Sequence, residues 1–126
     1  MNAGRRRLVL AVVATDATFE PTELRGRPAW AGKCIHCNAL VVVEADGTPV
    51  GPVTIEHLVP SSAGGTESPE NLALACAGCN HEKGRRHDVR YGRTPRSVEV
   101  VNRLLDRRRS RLRSPPAALD PLLKRP

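Results

Sequence analysis

The sequence predicts a small α+β fold that is held together by a bound metal, and three observations support this prediction. Short apolar segments separated by glycine, proline and polar residues indicate several short strands. A segment near the C-terminus places apolar residues at helical spacing and indicates one longer helix. Four cysteines arranged as two C-x-x-C pairs supply ligands that could hold the elements together.

The length and composition limit how the core can be built. The chain has 126 residues, which suits one domain with one hydrophobic core. It contains one Phe, one Trp and one Tyr, so the core must consist mainly of aliphatic side chains. Because a core of this kind commonly needs a metal or disulfides for stability, the cysteines are expected to be structural.

The chain is strongly basic. Lys and Arg number 20 against 13 Asp and Glu, and the isoelectric point is about 10.1. A surplus of this sign indicates a polyanionic partner, most often nucleic acid. We favour that interpretation over a basic surface that is merely solvated.

The N-terminal segment combines three arginines with the apolar run LVLAVVA. This run is at the minimum length for the hydrophobic part of a secretory signal and is far too short to span a membrane. We therefore predict a buried or edge strand over residues 8–14 and no membrane association. The predicted location is the cytoplasm, where paired cysteines more often bind metal than form disulfides.

Strands are predicted in the first half of the chain and its centre. Residues 15–33 are broken by proline and glycine and indicate an irregular lead-in, in which Trp30 packs on the core rather than stacking on a base. A β-branched run predicts a strand at about 39–43, and a short apolar piece follows at 72–75. Between them, residues 52–59 alternate in polarity, which would place neighbouring side chains on opposite faces of a strand.

Helices are predicted in the second half. The segment after the second C-x-x-C indicates a helix through about Lys83 that ends at Gly84. Thr94-Pro95 can begin a basic helix whose apolar stripe consists of Val98, Val101, Leu105 and Leu112. The predicted organisation is a strand and lead-in over 1–32, a central domain over 33–90, a basic helical extension over 91–113 and a disordered Pro-rich tail over 114–126.

The cysteines form two pairs, Cys34 with Cys37 and Cys76 with Cys79. Two such turns can present four thiolates to one tetrahedral zinc ion. The alternative of a redox-active pair requires a βαβ context that is absent around Cys34. Because a closed four-cysteine site has no open coordination position, the zinc is predicted to be structural rather than catalytic.

Polar residues between the two pairs and directly after the second pair fit the hydrolysis of a phosphodiester bond. That reaction needs a water nucleophile, a base and a cation that neutralises developing charge. His57 is a candidate base, and the side-chain oxygens of Glu56 and Asn80 suit a hard divalent ion such as Mg²⁺. Each of these residues taken alone would more often be structural or exposed, but their joint spacing favours a site. The other histidines, His36, His81 and His87, gain no role from this pattern.

The order of these residues resembles that of the HNH endonucleases, which have a ββα-metal fold. The resemblance covers residues 33–87, and its motifs occur in the family order. In this chain they are Glu56-His57-Leu58-Val59-Pro60, Gly64-Gly65, Asn71-Leu72, Cys76-Ala77-Gly78-Cys79, Asn80 and Lys83-Gly84.

The resemblance implies a role for each matching position. His57 would be the general base, Glu56 and Asn80 would bind the catalytic Mg²⁺ or a similar ion, and Asn71 would hold the loop that follows the histidine. The four cysteines match the structural zinc site of one branch of the family. The chain departs from the family pattern at two positions, since Glu56 stands where Asp is usual and Asn80 replaces the final His. Neither change removes an oxygen ligand.

Two groups of basic residues, one after the second cysteine pair and one in the predicted C-terminal helix, indicate how DNA could be held. Contacts from such side chains to phosphates position a duplex without reading its sequence. A solvated arginine face is the alternative, and the scarcity of aromatic residues argues against stacking on single strands. The predicted nucleic-acid-binding residues are Lys83, Arg85, Arg86, Arg107, Arg108, Arg109 and Arg111.

These observations predict a metal-dependent DNA endonuclease. Two other interpretations use the same features. The protein could be a non-catalytic, zinc-stabilised module that binds DNA, or a nuclease subunit that acts only within a larger restriction or packaging complex. The full set of a base and ion ligands favours the endonuclease, because a binding module has no use for that set.

Overall fold

The structure is a computed structural model that describes residues 2–79 and 95–119. It is a mixed α+β arrangement with a three-stranded and a two-stranded antiparallel sheet, so the predicted fold class is confirmed. The elements are α1 (Ala3–Thr15), β1 (Glu20–Leu24), β2 (Arg27–Lys33), β3 (Leu40–Glu44), β4 (Thr54–His57), β5 (Leu72–Ala75), the single turn α2 (Ala77–Cys79) and α3 (Pro95–Ser110).

The two-stranded sheet carries two of the candidate catalytic residues, Glu56 and His57. β4 pairs with β5 so that Glu56 lies opposite Ala73 and His57 lies opposite Leu72. All four residues of β5 are buried, as expected of an apolar strand that is covered on both faces. The predicted strands at 39–43 and 72–75 are confirmed, whereas the strand predicted within 52–59 is confined to β4.

The N-terminal segment is a helix, so the strand predicted over 8–14 is wrong. Asn2 caps this helix, since its side-chain oxygen accepts a hydrogen bond from the backbone N–H of Arg5 at 2.8 Å. Val9, Val12 and Val13 follow the i, i+3, i+4 spacing of a buried helical face. A short apolar run has the same appearance in a buried helix and a buried strand, and the preceding alanine and arginines favour the helix.

The prediction of an irregular segment over residues 15–33 is also wrong. β1 and β2 form a hairpin, and its turn residues Arg25 and Gly26 have φ angles of +53° and +76°. Two left-handed residues in a two-residue loop match the twist of the flanking strands, which explains why the hairpin forms despite Pro21 and Pro28. The prediction that Trp30 packs on the core is confirmed, because it is buried on β2.

The C-terminal helix is confirmed as α3, but its buried face differs from the predicted stripe. Val101 is buried as predicted, whereas Val98 and Leu112 are exposed. The chain beyond the helix contributes Leu119 to the core, so the predicted disorder is wrong for residues up to 119. The residues of α3 that are buried are Ser97, Val101, Leu104 and Arg108.

Arg108 is a completely buried arginine that connects three parts of the fold. It donates hydrogen bonds to the carbonyl oxygens of Leu72 at 2.8 Å, Thr15 at 3.0 Å and Pro69 at 3.1 Å. A further bond of 2.6 Å joins it to the hydroxyl of Thr15. Burial lowers the pKa of the Arg108 guanidinium from its usual value. The side chain is therefore a structural link between α1, β5 and α3.

Replacing Arg108 with methionine is expected to destabilise the protein strongly. Methionine keeps the apolar stem but removes four hydrogen bonds from a guanidinium group. The carbonyl oxygens of Thr15 and Pro69 keep backbone donors, those of Arg113 and Leu72, whereas the buried carbonyl oxygen of Leu72 loses its Arg108 donor. Because hydrogen bonds from a charged group contribute about 1.5–3 kcal/mol each, we expect a loss of roughly 3 kcal/mol or more in the free energy of unfolding. Arg109→Met is the matched control, because this neighbouring side chain is exposed and should change stability by less than about 0.5 kcal/mol. Urea denaturation followed by circular dichroism would measure both, and equal losses would contradict the structural role of Arg108.

Within the described residues, no helix is long and apolar enough to cross a membrane. The cytoplasmic location predicted from the N-terminal segment stays a prediction.

Candidate functional site

The four cysteines come together in space. Cys34 and Cys37 lie between β2 and β3, Cys76 directly follows β5, and Cys79 ends α2. Their Sγ atoms all lie within 4.8 Å of one another, and those of Cys37 and Cys76 are 3.7 Å apart. Tetrahedral zinc with Zn–S bonds of about 2.3 Å places thiolates roughly 3.8 Å apart. The cluster could therefore hold a metal such as zinc.

Backbone N–H groups donate hydrogen bonds to sulfur atoms of the cluster and so favour the thiolate form that binds a cation. The Sγ atom of Cys34 accepts hydrogen bonds from the backbone N–H groups of His36 and Cys76, both at 3.4 Å. The backbone N–H of Cys79 lowers the pKa of the Cys76 thiol to about 7, which favours the thiolate that binds metal. Burial raises the pKa of the Cys79 thiol, so a metal that binds there must displace a proton.

His57 is the last residue of β4 and lies at the edge of the two-stranded sheet. Its side chain is 21% exposed, and its Nε2 atom lies 3.7 Å from the Oε2 atom of Glu67. A histidine in this position has one side against the protein and one side open to solvent. It can therefore meet a water molecule or a substrate from outside.

The loop after His57 is fixed by Asn71. The side-chain oxygen of Asn71 accepts a hydrogen bond from the backbone N–H of Val59 at 2.8 Å, and its amide donates to the carbonyl oxygens of Val59 and Thr66 at 3.1 and 2.8 Å. Gly65 allows the loop to close, because a Cβ atom there would overlap the carbonyl oxygen of Val59. The loop is thus held at both ends by one buried side chain.

Glu56 lies on the opposite face of β4 from His57 and is buried. Its two carboxylate oxygens lie 2.8 and 2.9 Å from the Nε2 atom of His36. Sequence reasoning gave His36 no role. The cysteine cluster brings His36 close to β4. Its position between Cys34 and Cys37 is the sequence feature that could have indicated a contact with the residues near the cluster.

Several predicted site residues lie outside the described residues. These are Asn80, Lys83, Arg85 and Arg86, and the helix predicted to run through about Lys83 and end at Gly84 lies there as well. Their assigned roles stay predictions.

The predicted DNA-binding arginines in α3 and directly after it divide into two groups. For Arg108 and Arg111 the prediction is wrong, because both are buried and their guanidinium groups bind the protein itself. Arg111 donates to the carbonyl oxygen of Lys33 at 3.2 Å and to the side-chain oxygen of Asn38 at 2.6 Å. Arg108 lies on the face of α3 that packs inward, and Arg111, three residues later in the turn after the helix, points to the same side. A count of positive charges does not reveal this placement.

The other two arginines remain accessible. Arg107 donates to the carbonyl oxygens of Ile35 and His36 at 2.6 and 3.1 Å but is otherwise exposed. Arg109 is exposed and lines an open groove of about 300 Å³ together with Gly64, Gly65 and Asn71. This groove runs beside the loop that follows His57, so Arg109 is the described arginine of α3 that is best placed to meet a phosphate near the candidate site.

The comparisons with known proteins agree with this arrangement. Residues 34–95 match the model of a family described as HNH endonuclease. The match includes both cysteine pairs, β4, β5 and the loop that Asn71 fixes. This segment of the chain therefore belongs to the HNH endonuclease family, and the resemblance noted in the sequence is confirmed. No curated protein and no solved structure gives a significant match to the chain.

Proposed function

We propose that the protein is a metal-dependent endonuclease that hydrolyses phosphodiester bonds in DNA. The observation that supports this most directly is the partly exposed side chain of His57 at the end of β4. His57 lies next to a loop fixed by Asn71, in a segment that matches the HNH endonuclease family. This arrangement supports the proposal because a partly exposed imidazole could accept a proton from a water molecule beside a bound substrate.

The proposed reaction begins with a water molecule beside the imidazole of His57. His57 takes a proton from this water as its oxygen attacks the phosphorus, and the bond from phosphorus to the 3′ oxygen breaks. Glu56 and the side-chain oxygen of Asn80 would hold a divalent ion such as Mg²⁺, which when bound neutralises charge on the leaving oxygen. By the family resemblance, the products carry a 5′-phosphate and a 3′-hydroxyl.

DNA is proposed to lie along the groove beside Arg109. The chain has a formal net charge of +7, which attracts a polyanion over long range. Within the groove, Arg109 presents a guanidinium, and the Gly64-Gly65 segment lets a backbone approach closely. Contacts of this kind fix the position of a duplex and do not select its sequence.

One observation favours a second candidate, a zinc-stabilised module that binds DNA without cutting it. Glu56 is buried, and both of its carboxylate oxygens already have a partner within the protein, the imidazole of His36. In such a module the Glu56–His36 pair would serve stability alone.

Cleavage of supercoiled plasmid would separate the two candidates. We expect the purified protein to convert the plasmid to nicked or linear DNA in the presence of Mg²⁺ or Mn²⁺, and to leave it intact when EDTA is present from the start. Zinc content and folding should be verified first, so that inactivity is not caused by loss of the cysteine-bound metal. A protein that shifts DNA in a gel but cuts it with none of Mg²⁺, Mn²⁺, Co²⁺ or Ni²⁺ would support the binding module instead.

A further inference from the structure

We propose that His36 is a positioning residue for Glu56, so that the turn of the first cysteine pair sets the geometry of the catalytic ion site. This inference rests on the proposed nuclease function, because it gives Glu56 the role of an ion ligand. The resemblance to the family assigns no role to position 36.

The contact between the two side chains is close and symmetrical. The Nε2 atom of His36 lies 2.8 Å from one carboxylate oxygen of Glu56 and 2.9 Å from the other. Both side chains are only 8% exposed. In the tautomer with its proton on Nε2, the imidazole can donate to both oxygens. The imidazole thereby fixes the plane and direction of the carboxylate.

The position of His36 is itself fixed by the cysteine turn. Its backbone N–H donates to the Sγ atom of Cys34 at 3.4 Å, and its carbonyl oxygen accepts a hydrogen bond from Arg107 at 3.1 Å. The adjacent Ile35 is joined to Leu74 of β5 by a backbone hydrogen bond of 3.0 Å. Because these contacts hold the backbone of His36, the imidazole is a rigid support rather than a mobile surface group.

This support matters because the Glu56 carboxylate must point in a fixed direction to bind an ion. A buried carboxylate needs a hydrogen-bond donor beside it, and His36 is placed to supply one. A carboxylate offers about four lone-pair positions, so an ion can bind one oxygen while the histidine remains bonded. Hydrogen-bond partners of metal ligands typically contribute about 10–100-fold to metal affinity or activity. We therefore expect the loss of His36 to weaken ion binding within that range.

The test uses direct binding of Mn²⁺, which does not depend on DNA cleavage. Electron paramagnetic resonance would follow the free Mn²⁺ signal in the full chain with zinc already bound. His36→Phe keeps the ring volume but removes the donor, and His36→Ala serves if the Phe variant does not fold. We expect Mn²⁺ affinity to fall by about 10–100-fold in either variant while zinc content stays at the wild-type value. His36→Gln, which retains a donor, should recover part of this loss, and Glu56→Gln should abolish binding.

Asn38→Gly is the matched control for a general loosening of the cysteine turn. Asn38 has a φ of +64°, which glycine adopts readily, and its side chain bonds to Arg111 but not to Glu56. This variant should lower the unfolding temperature and leave Mn²⁺ affinity unchanged. If His36→Phe and Asn38→Gly changed affinity equally at equal loss of stability, a specific positioning role would be excluded.

Other outcomes separate this inference from the proposed function. Wild-type Mn²⁺ affinity in the His36 variants would overturn the inference even if the protein cuts DNA, and so would the absence of Mn²⁺ binding to the wild type. An imidazole nitrogen signal on bound Mn²⁺ that disappears with His36 would show a direct ligand rather than a positioning residue. If the wild type binds Mn²⁺ but does not cut DNA, and His36→Phe weakens binding, the nuclease function fails while the link between His36 and Glu56 stands.

Discussion

Replacing Cys34 with serine is expected to remove bound zinc and to unfold most of the domain. Cys34 is completely buried and its sulfur accepts two backbone hydrogen bonds, so it lies at the inner side of the cluster. Apparent zinc-binding free energies in small structural sites are about 10–16 kcal/mol, whereas a typical domain has a net stability of about 5–15 kcal/mol. Loss of the metal therefore removes an amount comparable to the whole stability of the fold.

Metal analysis together with thermal unfolding would measure this effect. We expect Cys34→Ser to contain no stoichiometric zinc and to show no cooperative transition by circular dichroism, and we expect a strong chelator to convert the wild type to the same state. Leu40→Ser is a suitable control, because Leu40 is 72% exposed on β3, close to the cysteine turn in the chain. A zinc-free Cys34→Ser protein with the unfolding temperature of the wild type would show that the core suffices without metal.

The features that could be predicted from the sequence are those determined by local chemistry. Two C-x-x-C turns specify a four-sulfur cluster almost regardless of what connects them, and the cluster is present. The β-branched run of β3 and the apolar run of β5 also predict strands correctly, because each run is short and bounded by turn residues. The helix α1 was missed because its apolar run has no period that distinguishes a helix from a strand.

The features that sequence reasoning missed depend on contacts between distant segments. Arg108 looked like one of several surface arginines, yet its acceptors lie on α1, on β5 and in the turn before β5. The contact between His36 and Glu56 likewise exists only because the cysteine cluster folds the first C-x-x-C turn against β4. Neither contact has a periodic or spacing signal, so only the assembled fold could reveal them.

Replacing His57 with alanine is expected to lower the rate of DNA cleavage by about 10²–10⁴-fold, which is the usual contribution of a general base. His57 is proposed to accept the proton of the attacking water, and alanine leaves no proton acceptor at the end of β4. DNA binding should be unchanged, because His57 supplies no phosphate contact in this proposal. Single-turnover cleavage of a plasmid with Mn²⁺ would give the rate, and gel shifts with Ca²⁺ would give the affinity.

Two comparisons make this prediction specific to the imidazole of His57. Added imidazole should partly restore cleavage by His57→Ala, since the cavity left behind can admit a free base. Thr54→Val is the control on the same strand, because within the described residues the buried hydroxyl of Thr54 has no hydrogen-bond partner, and its removal should be neutral or slightly stabilising. We expect this variant to cut DNA at the wild-type rate. If His57→Ala cut DNA as fast as Thr54→Val, the general base would have to be another residue, and the partial exposure of His57 would have no catalytic meaning.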